Sequence, residues 1–137
     1  MTLDRFDTLM TECREGRVKF YWYLATLAGA SLVLIIKFIS SITIEDNTSL
    51  NLIRISLWLL LSTLGFSAIR NLVSYSVTSL EARYEESGRE LSDPEIYKVY
   101  QKMRIKMIFR NITGWIAVVS YFLAITFLVI CSDRLFL

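Results

Sequence analysis

Three stretches of this chain are apolar over enough residues to cross a lipid bilayer as helices. The first runs from Phe20 to Ile36 and continues past Lys37, the second lies between Arg54 and Arg70, and the third runs from Ile112 to Cys131. A membrane-spanning helix needs roughly 20 residues. The second stretch is the shortest, but the aliphatic stems of its flanking arginines can reach the interfaces and lengthen the usable span. The pattern predicts an all-α integral membrane protein with three transmembrane helices.

Polar and apolar positions outside these stretches predict helices that continue beyond the membrane. Ser92–Glu95 has the form of a capping box, with Pro94 in the first turn, and it predicts the start of a helix that runs into the third span. Apolar residues follow at helical spacing, namely Ile96, Val99, Tyr100, Met103 and Met107. The second span is expected to extend toward Glu86 and to end at Ser87–Gly88. Together these two extensions predict a helical hairpin.

The chain is predicted to be a single domain, residues 1–137, without an internal boundary. An amphipathic N-terminal helix is expected to stop at Gly16 and to pack against the basic hairpin. The predicted segments are the amphipathic helix 1–16, the first span 18–40, a loop 41–52, the second span 53–76, the hairpin 77–110, the third span 111–131 and a tail 132–137.

The distribution of charge predicts the orientation. Most cations lie before the first span or between the second and third, namely Arg5, Arg14, Arg17, Lys19, Arg83, Arg89, Lys98, Lys102, Arg104, Lys106 and Arg110. Cytoplasmic segments of membrane proteins carry the excess of Lys and Arg. We therefore expect the N-terminus and the hairpin in the cytoplasm, the C-terminus outside, and a bacterial inner (plasma) membrane as the location.

Composition excludes several classes of function. The chain is 54% hydrophobic, and its 15 Lys+Arg against 13 Asp+Glu are too balanced for a nucleic-acid-binding protein. It has no histidine, and its apolar stretches hold no Asp or Glu, so a proton relay or a Ser-His-Asp triad is not expected. Cys13 and Cys131 fall on opposite sides and are not expected to pair within one chain. We expect no catalytic residue, no cofactor and no metal.

The most informative pattern is a line of polar residues along the second span. Its members are Ser56, Thr63, Ser67, Arg70 and Ser74, which share one face of a helix. One interpretation is a helix–helix seam in which small hydroxyls allow close approach. The other is a water-filled path in a homo-oligomer, with Arg70 forming a cationic ring that favours anions. Arg70 near the interface is also able simply to snorkel to lipid phosphate.

Small residues predict close helix packing in the other two spans. Ala25 and Gly29 have small-xxx-small spacing in the first span, and the third carries Thr113, Ala117, Ser120 and Ala124 along one side. A lone three-helix bundle has little interior in which to bury three such rows of small or polar residues, so a homo-oligomer or a larger membrane-protein partner is expected.

Two functions follow from these patterns. The first is a non-enzymatic membrane protein that self-assembles in the lipid bilayer, most concretely an oligomeric pore, an ion channel or a membrane-perturbing effector whose path is lined by the polar face of the second span. The alternative is a small accessory, immunity or scaffold subunit that packs against a larger membrane protein.

Overall fold

The chain forms three long helices in the computed structural model, which describes residues 3–87 and 93–136. They are α1 (Leu3–Ser41), α2 (Asn47–Ser87) and α3 (Asp93–Phe136). Each is long and apolar enough to cross a membrane. The prediction of an all-helical chain with three helices of membrane-spanning length and composition is confirmed. The capping residue Ser92 and the turn residue Gly88 lie outside the described residues.

Helix α2 is the central element of the bundle. Both α1 and α3 pack along it, whereas α1 and α3 touch each other only slightly. Contacts such as Asn71–Val18 and Ser49–Cys131 show that α2 is antiparallel to both neighbours. We call the region around residues 17, 70 and 110 the Arg70 end, and the region of residues 42–49 and 131–136 the Asp46 end.

Two alanines, one on α1 and one on α3, allow these helices to pack closely against Leu60 near the middle of α2. Ala28 of α1, Leu60 of α2 and Ala124 of α3 are fully buried and form one cluster. The alanine methyl groups let the backbones approach closely, which is how helices associate where no water drives them together. Around this cluster pack the half-buried side chains of Leu32, Ile35, Leu59, Tyr121 and Leu128.

Helix α1 continues through Gly16, where a break was expected. A single glycine costs about 1 kcal/mol relative to alanine inside a helix, which a helix of this length tolerates. The expected packing of the N-terminal segment against the hairpin is also not found for its first apolar residues, because Leu3, Phe6 and Leu9 are exposed. The first loop is shorter than predicted, since α2 already begins at Asn47.

One carboxylate organises the Asp46 end. Asp46 accepts hydrogen bonds from the Thr48 amide at 3.1 Å and the Ser49 hydroxyl at 2.8 Å, which caps the start of α2. The Ser49 hydroxyl is the largest cause that holds the pKa of Asp46 below its usual value. Arg134 of α3 lies 3.4 Å from the same carboxylate, and the Cys131 thiol donates to the Ser49 carbonyl at 3.7 Å. These contacts join the start of α2 to the end of α3.

We predict that Ala28→Leu destabilises the bundle by about 1–3 kcal/mol, because the added carbons have no space between α1 and α2. Ala30 is exposed on the same helix, so Ala30→Leu is the matched control and should leave stability nearly unchanged. Thermal unfolding of both variants in a mild detergent measures the difference. Equal midpoints for the two variants would contradict the close packing at Ala28.

Candidate functional site

The structure buries the whole polar line of α2 inside one chain. Ser56, Thr63 and Ser67 have no exposed surface, Arg70 is 4% exposed and Ser74 is 8% exposed. Because α2 is flanked by α1 and α3, these side chains face the neighbouring helices and not the surroundings.

Two of the four buried hydroxyls along this line donate to carbonyls of their own helix. Ser56 donates to the Leu52 carbonyl at 2.8 Å and Thr63 to the Leu59 carbonyl at 2.9 Å. Such bonds to the preceding turn satisfy a hydroxyl without water. The Ser67 hydroxyl has no hydrogen-bond partner among the described residues. The middle of the seam is therefore closed by packing, with two of its three hydroxyls satisfied locally.

The small residues of α3 are covered in the same way. Thr113, Ala117, Ser120 and Ala124 are all buried, and Thr113 donates back to the carbonyls of its own helix. In α1, Ala25 and Gly29 are half-buried, and a Cβ placed on Gly29 would lie 3.6 Å from Leu64. The polar and small residues of α2 and α3 are thus buried within the chain, so their burial does not by itself require a partner.

Arg70 occupies the end of the polar line and is held by α1. Its guanidinium carbon lies 4.2 Å from the centre of the Tyr21 ring, a cation–π arrangement. Its Nη1 donates to the Asn71 side chain at 3.3 Å, and Asn71 in turn donates to the Val18 carbonyl at 3.4 Å. A desolvated cation–π contact is worth about 2 kcal/mol. These contacts fix the direction of a charge that is buried between helices.

Tyr21 also marks the place where α1 approaches α3. A Cβ on Gly114 would lie only 2.5 Å from the Tyr21 hydroxyl oxygen, so the tyrosine fits because residue 114 has no side chain. The ring therefore lies between Gly114 of α3 and the guanidinium of Arg70. Through this one ring, all three helices meet at the Arg70 end.

Two further arginines surround Arg70. Arg17 of α1 and Arg110 of α3 are the nearby cations whose field acts on it. The three line two adjoining cavities, one of about 220 Å³ and one of about 640 Å³. No Asp or Glu is among the described residues that line either cavity. We call the groove that Arg17, Arg70 and Arg110 line between α1 and α3 the basic cleft.

The sequence pattern identified Arg70 but missed most of the residues around it. No role in a site was predicted from the sequence for Tyr21, Trp115, Asn71 or Gly114. A usable signal was present, because Arg17 and Arg110 precede the first and third apolar stretches and Arg70 follows the second. Antiparallel packing brings those three ends together.

Metal chemistry has no visible basis in the described part of the chain. No group of three His, Cys, Asp or Glu side chains is close enough to hold a metal ion there. Cys13 is exposed and Cys131 is buried, and both are free thiols. They lie at opposite ends of the bundle.

The chain matches no protein-family model, no curated protein and no solved structure.

We predict that Gly114→Ala destabilises the bundle, because the new methyl group displaces the Tyr21 ring and weakens its contact with Arg70. Tyr21→Phe should lower that penalty in the double variant, since it removes the atom nearest to the new methyl. Gly65 has nothing within 4 Å of a Cβ position, so Gly65→Ala is the control and should stabilise by about 0.5–1 kcal/mol. Unfolding midpoints of the four variants give the comparison, and equal effects at Gly65 and Gly114 would contradict the ring contact.

Proposed function

We propose that this protein is a non-enzymatic membrane protein that binds an anionic group in the basic cleft. The observation that carries the proposal is the burial of Arg70 between helices, with two more arginines beside it and no carboxylate among the described residues of the cleft. The absence of histidine from the chain and of acids from the apolar stretches supports a binding role over a catalytic one.

The physical reason is the cost of an uncompensated buried charge. Removing a guanidinium from water is expensive, and an opposite charge with good hydrogen bonds offsets that cost. Tyr21 and Asn71 hold Arg70 but supply no negative charge. Arg17 and Arg110 add like-charge repulsion. A bound anion would offset the cost of burying Arg70 and reduce its repulsion by Arg17 and Arg110, and guanidinium groups suit phosphate and carboxylate oxygens.

Simple snorkelling explains this arrangement less well. A snorkelling arginine extends its head group into the interface, where it is solvated by water and lipid. Arg70 instead keeps 4% of its surface exposed and directs its charge across the Tyr21 ring. This geometry is typical of a positioned binding group.

In the proposed orientation the Arg70 end faces the cytoplasm of a bacterial inner membrane. In the sequence, most cations lie within residues 5–19 and 83–110, next to the boundaries marked by Arg17, Arg70 and Arg110, and the loop between α1 and α2 carries Glu45 and Asp46. The excess of Lys and Arg on the cytoplasmic side of membrane proteins supports this assignment. The part of α2 after residue 70 and the part of α3 before residue 110 would then lie in the cytoplasm, where Lys106 donates a hydrogen bond to Ser76 at 2.6 Å.

A pore lined by the polar face of α2 would need a different arrangement of the helices. Its lining side chains are closed off by α1 and α3 inside one chain, so a shared path in a homo-oligomer requires one of these helices to move away. Assembly with copies of itself or with a larger membrane protein would instead use the outer faces of α1 and α3, and it is compatible with anion binding in the cleft.

We predict that inorganic phosphate stabilises the wild-type protein in mild detergent more than chloride does at equal ionic strength. A single-site ligand at ten times its Kd stabilises by about 1.4 kcal/mol. Arg17→Gln and Arg70→Gln should each remove most of the extra shift in the unfolding midpoint.

Arg54→Gln is the matched control, because Arg54 is an exposed arginine near the opposite end of α2. Phosphate also stabilises proteins in general, because it is excluded from the protein surface. The response of Arg54→Gln measures this general effect, since its basic cleft is intact and only an exposed arginine is removed. An equal phosphate response in the wild type, Arg17→Gln and Arg54→Gln proteins would refute anion binding in the basic cleft.

A further inference from the structure

We infer that the anionic group bound in the basic cleft is the phosphate of an anionic phospholipid, which enters sideways from the leaflet at the Arg70 end. This inference rests on the proposed function and assigns its ligand. Three features of the cleft support it: its depth along the helices, the side on which it opens, and its charge.

The depth of the cleft matches the phosphate layer of a bilayer. Each of its arginines lies at the boundary of an uncharged stretch: Arg17 shortly before residues 20–36, Arg70 directly after 55–69, and Arg110 directly before 111–132. Lipid phosphates lie where the hydrocarbon core ends. The three guanidinium groups are therefore placed at the level of a lipid head group.

The cleft opens toward lipid between α1 and α3. Its larger cavity is lined by α1 and α3, with Arg70 of α2 as the third side. Phe20 and Trp115 stand beside this opening, and Trp115 is 71% exposed. Gly16 lies on the same wall with nothing within 4 Å of its Cβ position, which leaves the entrance wide. Aromatic residues at this depth pack well against the first carbons of acyl chains.

The charge of the cleft favours lipids with net negative charge. Arginine groups from three helices line it, without a carboxylate among its described lining residues. A zwitterionic lipid such as phosphatidylcholine would bring its own cation close to these guanidiniums. Phosphatidylglycerol carries no such cation, so both its charge and its phosphate geometry fit the site.

The test uses the full chain in nanodiscs that contain equal amounts of dioleoylphosphatidylglycerol and dioleoylphosphatidylcholine. Native mass spectrometry then counts the lipids that stay bound after release. We expect one phosphatidylglycerol per chain to be retained preferentially in the wild type. Arg17→Gln should reduce this retention about tenfold, while Arg54→Gln should leave it unchanged. Arg17 is on the exposed side of α1, so this variant can be made without disturbing the buried seam.

A pair of tryptophan variants distinguishes a lipid from a soluble phosphate. Trp115 and Trp58 are equally exposed, at 71%, but only Trp115 lines the cleft. Trp115→Ala should weaken the retention of phosphatidylglycerol and leave the stabilisation by inorganic phosphate intact. Trp58→Ala should change neither.

Each outcome gives a decision. Preferential retention of phosphatidylglycerol that depends on Arg17 and Trp115 supports the inference. If inorganic phosphate stabilises the protein through Arg17, but both lipids are retained equally and the two tryptophan variants behave alike, the ligand is soluble and the lipid assignment is wrong. If Arg17→Gln changes neither the stabilisation by inorganic phosphate nor the retention of phosphatidylglycerol, the proposed function fails as well.

Discussion

The arrangement of the three helices depends on one constraint, close packing of small side chains along the polar line of α2. Ser56 and Thr63 are already satisfied by carbonyls of their own helix, so covering them gains close helix contact and no new hydrogen bond. Both neighbours pack against this helix and hardly against each other, which makes α2 the centre of the bundle. The alanines at positions 28, 117 and 124 are fully buried where α1 and α3 approach it. The same constraint explains why these contact positions are small.

Arg70 extends this line by a group that packing alone does not satisfy. The hydroxyls can bond to the preceding turn, but a guanidinium needs aromatic, amide or anionic partners. In the fold, the Arg70 guanidinium contacts the Tyr21 ring and the Asn71 side-chain amide. A cavity remains beside Arg70, where a bound anion would supply the missing negative charge. The seam is thus structural along most of its length, and the proposed binding role belongs only to its Arg70 end. In this account the burial of α2 and the basic cleft have a common origin.

The sequence predicts the helices well and the cleft poorly, for physical reasons. Hydrophobic stretches and helical spacing are local properties, so the three spans and the polar face of α2 follow from the residues themselves. The contact of Tyr21 with Arg70, and its fit against Gly114, depend on how α1 and α3 are rotated around α2. The spacing of residues along one helix does not determine how that helix is rotated against its neighbours. The expected break at Gly16 was wrong because one glycine is a weak signal inside a continuous helix of 39 residues.

The measurement that tests this account most directly is the water accessibility of Thr63, at the middle of the polar line. Thr63→Cys is made in a chain that lacks Cys13 and Cys131, reconstituted in vesicles and treated with a membrane-impermeant thiol reagent. Thr78→Cys, at an exposed position beyond the apolar stretch, is the positive control. A seam closed within one chain predicts no labelling at position 63 while position 78 reacts. Rapid labelling at position 63 would show a water-filled path along α2 and would contradict the account.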